Sequence, residues 1–421
     1  MEENNLESDS LKIKGVSPLR GSVPLQADVS LTNFLITLSI ILNKKISLKA
    51  DFLNPEVADY VHLLNNYGLS IHSYGDSAFI HGDLTVNESF VLSSNKLYEK
   101  YIILLVLSKR GYINLSEDKE FVDFFSYLGF LCKKDLNGTL IYNKVSRKKS
   151  TITFYSFNYD YILLSILSLL LNNTSFTLFL PDINPPLKML FSLLKDIGFI
   201  ENIVYGKFVG VYFNADKIDD SIEELEVPKD YKEFLFFSVA SLITGGDIEF
   251  KGINTSYLAN SLKILSNFGI SYDVFEEERI RLWFSDWPKE PFSNIKDVGA
   301  STSVVRLFML PVLPKLPEEH LPKSINISLK ERKKLIQDLN SLGCGLEIPQ
   351  EDTILVKRPG NFRRNNLYLL NNHEEGNYTR FLGSLLPQEG STLYNVNALL
   401  NYNSSLLEKL SNLGLNFENA S

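Results

Sequence analysis

Ser256-Tyr-Leu-Ala-Asn-Ser-Leu-Lys-Ile-Leu-Ser-Asn-Phe-Gly269-Ile-Ser-Tyr-Asp-Val-Phe275 decides the fold. Leu258, Leu262 and Leu265 recur at helical spacing, so Ser256 to Phe268 reads as an amphipathic helix. Gly269 follows the last apolar residue, where a left-handed residue closes a helix without Cβ strain. Ile270 to Phe275 then reads as a strand. The same helix stop stands at Gly68, Gly129, Gly198, Gly343 and Gly414, after NNY, SYL, KDI, NSL and SNL. Successive stops lie 61 to 74 residues apart, so the chain is built by repetition.

Working outward from each glycine gives the order β-α-β-α-β-β. In the first unit, Ser22 to Leu25 is the opening strand, Leu31 to Leu42 an apolar helix and Lys45 to Ala50 a strand. Pro55 to Tyr67 is the second helix, with a proline where its missing N–H is not needed. Leu69 to Ser73 and Ala78 to His81 close the unit. First helices such as Tyr101 to Leu107 are apolar all round and belong inside, whereas second helices carry a polar face. Six such units are too many for one core in 421 residues, so the pattern predicts two lobes of three repeats. The expected lobes are 21–226 and 227–421, with 1–20 packing on the second and Val227 to Asp230 as the crossing. The fold class is α/β (α+β): six βαβαββ repeats in a two-lobe, inside-out barrel-like arrangement.

Composition narrows the function classes. A net charge of −8 disfavours nucleic acid and anionic membranes as partners. The short basic clusters Arg147–Lys149, Lys330–Lys334 and Arg358 with Arg363–Arg364 lack interleaved aromatics and read as solvated faces. Cys132 and Cys344 form no disulfide framework, and neither they nor the five histidines show metal-ligand spacing. Residues 1–10 are polar and acidic, and the most apolar run, Tyr161 to Leu171, is too short to span a bilayer. The expectation is a cytoplasmic monomer without a structural or catalytic zinc.

The text of the chain resembles the enolpyruvyl transferases, most closely the branch of 5-enolpyruvylshikimate-3-phosphate (EPSP) synthase, or 3-phosphoshikimate 1-carboxyvinyltransferase. Leu19-Arg-Gly-Ser-Val-Pro24 before a long apolar helix resembles the family's opening strand. Val227-Pro-Lys-Asp230, Phe236-Phe-Ser-Val-Ala-Ser-Leu-Ile-Thr-Gly-Gly246 and Asp247-Ile-Glu-Phe-Lys-Gly-Ile253 resemble the start of its fourth unit. The resemblance runs from about Leu11 to the end. It implies transfer of the carboxyvinyl group of phosphoenolpyruvate to shikimate 3-phosphate, in aromatic amino acid biosynthesis, without metal or organic cofactor and with anionic ligands held between the lobes at helix N-termini.

Matched to the family's motifs, the site residues are depleted. Ala27, Asp28 and Thr32 stand for a Lys-Ser pair and an Arg, and Asn158-Tyr159-Asp160 for a phosphate-holding Ser-Ser-Gln. Lys100 replaces another Arg, with Lys96 nearby; it keeps charge without bidentate recognition. Asp297 matches the family's proton-handling acid, and Lys330-Glu331 survives from a motif whose final Arg becomes Lys334. Arg380 matches a helix-start Arg, and Asn401 a final lysine. The resemblance therefore implies Asp297 and Glu331 as catalytic acids. It implies Arg380, Lys100 and Lys330, with Lys96 and Lys334, as substrate contacts.

The helix starts hold six cations (Lys96, Lys100, Lys229, Lys232, Arg306, Arg380) and six anions (Asp28, Glu99, Asp160, Asp230, Glu233, Asp297), a sum of zero. Each missing close ion pair forfeits roughly 4 kcal/mol of attraction at an effective dielectric near 20, before desolvation. The expectation is a pseudoenzyme that has lost the usual reaction and acts as a binding or scaffold protein, with a protein partner or an anionic small molecule as its ligand. Two alternatives stay open: an active carboxyvinyl transferase with a divergent site, or an enzyme for a less anionic acceptor.

Overall fold

In the computed structural model, residues 9–419 are described except 44–45, 75–76, 82–96, 116–118, 136–137, 146–149, 156–157, 174, 220–223, 277, 287–302, 318–323, 327–331, 351–352, 358–360 and 372. The chain divides into two compact units, residues 27–228 (lobe one) and residues 1–26 with 229–421 (lobe two).

All six repeat glycines have φ between +80° and +101°, so each helix stop uses the backbone region that glycine alone enters freely. At Gly269 a Cβ would lie 2.2 Å from the carbonyl oxygen of Asp286, and at Gly198 one would lie 2.4 Å from that of Lys217. At Gly414 nothing stands within 4 Å.

The amino-terminal strands β1 (Ser10–Ile13) and β2 (Arg20–Pro24) belong to lobe two. Lobe one starts with α1 (Val29–Leu42), β3 (Ser47–Lys49), α2 (Pro55–Asn66), β4 (Ser70–Tyr74) and β5 (Ser77–His81). Its second repeat has α3 (Leu97–Arg110), β6 (Tyr112–Leu115), α4 (Lys119–Leu128), β7 (Phe130–Asp135) and β8 (Gly138–Val145). Its third has β9 (Thr151–Thr153), α5 (Tyr159–Leu170), β10 (Ser175–Leu180), α6 (Pro185–Asp196), β11 (Ile200–Val204) and β12 (Val209–Asn214), and β13 (Glu224–Glu226) follows.

Lobe two continues with α7 (Tyr231–Thr244), β14 (Asp247–Lys251), α8 (Ala259–Asn267), β15 (Ile270–Glu276) and β16 (Arg279–Phe284). The fifth repeat has α9 (Ser303–Met309), β17 (Ser324–Asn326), α10 (Arg332–Ser341), β18 (Leu346–Gln350) and β19 (Thr353–Val356). The sixth has β20 (Asn366–Tyr368), α11 (Glu374–Ser384), β21 (Thr392–Tyr394), α12 (Asn397–Leu400), α13 (Leu406–Asn412) and β22 (Phe417–Asn419).

Each lobe holds three sheets among the described residues, and the strand order repeats: β11-β12-β10-β9 in the third repeat, β15-β16-β14-β2 in the fourth. The opening strand runs parallel to the second, and the rest are antiparallel. The first helices pack on one another at the centre, α1, α3 and α5 in lobe one and α7, α9 and α11 in lobe two. Leu104, Leu105 and Leu163 are fully buried in the former, and Phe236, Phe308 and Phe381 in the latter.

The pairing of the opening strands differs from the sequence expectation. The strand expected to open the first repeat, β2, pairs with β14 in the fourth repeat's sheet, with Arg20 opposite Asp247 and Pro24 opposite Lys251. In exchange, β13 pairs with β3 of the first repeat, with Glu224 opposite Ser47. The boundary consequently falls at 26/27 instead of 20/21, and at 228/229 instead of 226/227. Local periodicity fixes which face of a strand is buried but says nothing about its partner. β1 is antiparallel to both β21 and β22 and completes the sixth repeat's sheet.

Candidate functional site in the central helix starts

The starts of three central helices, α1, α5 and α7, are closed by side chains of the chain itself. Asp28 is the N-cap of α1 and accepts from the Leu31 N–H at 2.9 Å. Asp230 caps α7, accepting from the N–H groups of Lys232 at 2.8 Å and Glu233 at 3.3 Å. Asn158 caps α5 through Tyr161 N–H at 3.1 Å, with Asp160 exposed in the first turn. A side-chain oxygen at the N-cap takes up N–H groups that would otherwise face an anion, and a carboxylate also answers the helix dipole. Asp28 and Asp230 are therefore helix caps.

Three cations near the central helices of lobe two, Arg380, Lys232 and Lys409, meet carboxylates of the same lobe. Arg380, on α11, is 1% exposed, and its Nε donates to Asp338 Oδ2 on α10 at 2.8 Å. Lys334 reaches the other oxygen of Asp338 at 3.1 Å, one helical turn away. Lys232, in the first turn of α7, lies 2.5 Å from Glu374 and 3.9 Å from Glu375 at the start of α11. Burial acts to lower the Lys232 pKa, but Glu374, Glu375 and Asp230 outweigh it and hold the ammonium well above its ordinary value. Glu233 is fully buried: one oxygen accepts from Lys409 Nζ at 2.6 Å and Asn403 Nδ2 at 2.8 Å, the other from Gln26 N–H at 2.8 Å.

Other cations meet rings or burial. Lys100, half-buried on α3, has its ammonium 5.6 Å from the ring centroids of both Phe121 and Tyr161, within cation–π reach. Arg306, on α9, is half-buried, and burial pulls its guanidinium below the usual range. Asn401 is exposed just after α12.

Asp297, Lys330, Glu331 and Lys96 lie outside the described residues. Of the expected contacts, Arg380 and Lys334 come together on one carboxylate of lobe two, and Lys100 belongs to lobe one. The sequence analysis counts Glu233 only as a helix-start anion and gives no role to Asp338 or Lys409. Each of the two acids has a signal: Glu233 interrupts an apolar helix, and Asp338 shares the buried stripe of Leu335 and Leu339 on α10 and Leu342 just after it. A carboxylate in such a place requires a partner.

An oxyanion that takes over Arg380 Nε must displace Asp338, whereas Nη2 has no hydrogen-bond partner among the described residues. Breaking a buried pair costs about 3–5 kcal/mol, comparable with what one new close pair would return.

No protein-family model matches the chain, and no curated protein matches its sequence. Its fold does have solved counterparts. One is the enolpyruvyl transferase NikO from Streptomyces tendae, at TM-score 0.74 and 15% identity over 98% of this chain and 99% of that one. Two others are structures of EPSP synthase from Acinetobacter baumannii, at TM-score 0.71 and 13% and 14% identity, each over 97% of this chain and 99% of that one. At such identities the likeness is one of fold, and the fold of this chain is that of the enolpyruvyl transferases.

Proposed function

We propose that this chain is a non-catalytic relative of the EPSP synthases, in which carboxyvinyl transfer from phosphoenolpyruvate to shikimate 3-phosphate has been lost and the body serves as a binding or scaffold protein. One observation carries the reading: Arg380, the arginine that matches the family's helix-start arginine, is buried against Asp338. The closed starts of α1 and α7 and the Lys232–Glu374 pair support it. The test is calorimetry with phosphoenolpyruvate and shikimate 3-phosphate, singly and mixed, beside an assay for released phosphate. No heat and no phosphate are expected; turnover above the uncatalysed rate would overturn the proposal.

A second reading is a transferase for a less anionic acceptor, with Arg380 and Lys100 binding and Asp297 or Glu331 as base. The likeness to NikO favours it, since that protein is an enolpyruvyl transferase not named as an EPSP synthase. Binding of phosphoenolpyruvate alone, with no response to shikimate 3-phosphate, would select this reading over the first.

A further inference from the structure

We propose that Asp338 is an internal counter-ion that withholds Arg380 from oxyanions, so that removing its charge turns this part of lobe two into an oxyanion site. The inference rests on the non-catalytic reading above and assigns the cause to one residue. Arg380 Nε is taken by Asp338 Oδ2, whereas Nη2 is buried and has no hydrogen-bond partner among the described residues. A buried guanidinium N–H left unmatched is unusual, because desolvating it without a partner is costly. Gly376, one turn earlier on α11, adds no side chain: a Cβ there would stand 3.1 Å from Arg380 Nη1. The guanidinium therefore has a donor to offer, while its charge is already answered.

Asp338 is tied from both sides. Arg380 holds one oxygen and Lys334 the other, and Lys334 lies on the same helix at i−4. Lys334 is half-exposed and can turn to water, whereas Arg380 is enclosed. The carboxylate thus gains most of its attraction from Arg380, and an incoming oxyanion competes with it directly. Replacing the carboxylate by an amide keeps an oxygen acceptor for Nε, removes the negative charge and leaves two cations, Arg380 and Lys334, around the position.

The experiment compares wild type with Asp338→Asn, titrated with inorganic phosphate and separately with phosphoenolpyruvate. Binding is followed by calorimetry and by the side-chain Nε–Hε resonance of Arg380. The expected result is binding at least about tenfold tighter in the variant, the scale of one charge interaction of a little over 1 kcal/mol, with a saturating shift of that resonance. The gain should vanish in Asp338→Asn/Arg380→Met, a dependence that a merely structural role for Asp338 would not produce. A folded Asp338→Asn that gains nothing overturns the inference. So does a wild-type protein whose Arg380 resonance already saturates with phosphate, and that titration is decisive even if the variant fails to fold. Asp338→Ser, which also removes the charge, is the second variant. Turnover by wild type would instead defeat the non-catalytic reading; an inert wild type with an unresponsive variant defeats only the counter-ion.

Discussion

The two lobes repeat one chain plan but bury different polar groups. Around α1, α3 and α5, lobe one buries hydroxyls and an amide: Thr32, Asn33, Thr37 and Ser39 on the first, Ser165 and Ser168 on the last. Its buried carboxylates, Asp28 and Glu99, stand at helix starts. Around α7, α9 and α11, lobe two places ion pairs, Glu233 with Lys409 and Arg380 with Asp338. Lobe two buries hydroxyls and an amide as well, Ser238 and Ser241 on α7 and Asn377, Thr379 and Ser384 on α11, so the ion pairs are what it adds. A repeat architecture therefore fixes where the central helices go and leaves their polar content free to diverge. In lobe two that freedom went into charges that answer one another.

The strongest way to break this contrast is to remove one charge from lobe two. Glu233→Gln leaves the Lys409 ammonium buried without its counter-charge and should cost about 3–5 kcal/mol, read as a lower urea midpoint. Glu233→Met/Lys409→Met, which removes both charges, should recover most of that loss. Thr37→Val in lobe one, which breaks the 2.6 Å bond between Thr37 and the Tyr60 hydroxyl, should cost only about 1 kcal/mol. Equal losses at Glu233 and Thr37 would remove the distinction between the lobes.

The glycine stops sharpen the comparison from the opposite side, because there the lobes should behave alike. Gly198→Ala in lobe one and Gly269→Ala in lobe two each drive a Cβ into a backbone carbonyl at positive φ and should each cost about 3 kcal/mol. Gly414→Ala meets only the φ penalty and should cost about 1 kcal/mol. A Gly414 variant as damaging as Gly269→Ala would mean that the shared stop is governed by something other than these contacts.

Those glycines are also where the sequence was most readable. Helix ends need a left-handed residue, glycine supplies it, and all six positions carry positive φ. The span read as Leu31 to Leu42 is Val29–Leu42, and Pro55 to Tyr67 is Pro55–Asn66. The exchange of β2 and β13 between sheets was not readable, since each strand's partner is more than 170 residues away and the alternation along it is the same whichever sheet receives it. The site was half readable. A charge count over the helix starts gives a sum of zero, but it enters Asp28 and Asp230 as plain anions, whereas each caps its helix. Asp338 lies 42 residues from Arg380, and nothing local on α11 announces it.

A smaller effect is expected at the edge of lobe two's ion pairs. Lys232→Met leaves Glu374 without its partner and should cost about 1–3 kcal/mol at neutral pH, between values for exposed and buried pairs. The Lys232 pKa is raised in the folded protein, so its contribution is complete below the unfolded lysine value near 10.4 and is lost as pH climbs through the folded value. Wild type and variant should therefore converge in stability only in strong alkali. A gap that closes on acidification through the lysine-insensitive neutral range would assign the effect to other groups.

The smallest effect separates two tyrosines within lobe one. Tyr60 and Tyr101 are both fully buried, with ring centroids 6.5 Å apart, and burial pushes both phenols up from their ordinary value. Tyr60 exchanges a hydrogen bond with Thr37, whereas the Tyr101 hydroxyl has no hydrogen-bond partner among the described residues. Tyr60→Phe should cost about 1 kcal/mol, because it removes the bond to Thr37, whose hydroxyl keeps only its bond to the Asn33 carbonyl, while Tyr101→Phe removes a desolvated group that gains nothing and should be neutral or stabilising by up to about 1 kcal/mol. Raised phenol values mean that the unfolded chain ionises first as pH rises above about 10, so both hydroxyls lower stability in alkali. Tyr101→Phe should accordingly shift base unfolding, followed by phenolate absorbance, to higher pH. A loss of about 1 kcal/mol or more, the worth of a hydrogen-bonded buried hydroxyl, would show that Tyr101 does have a partner.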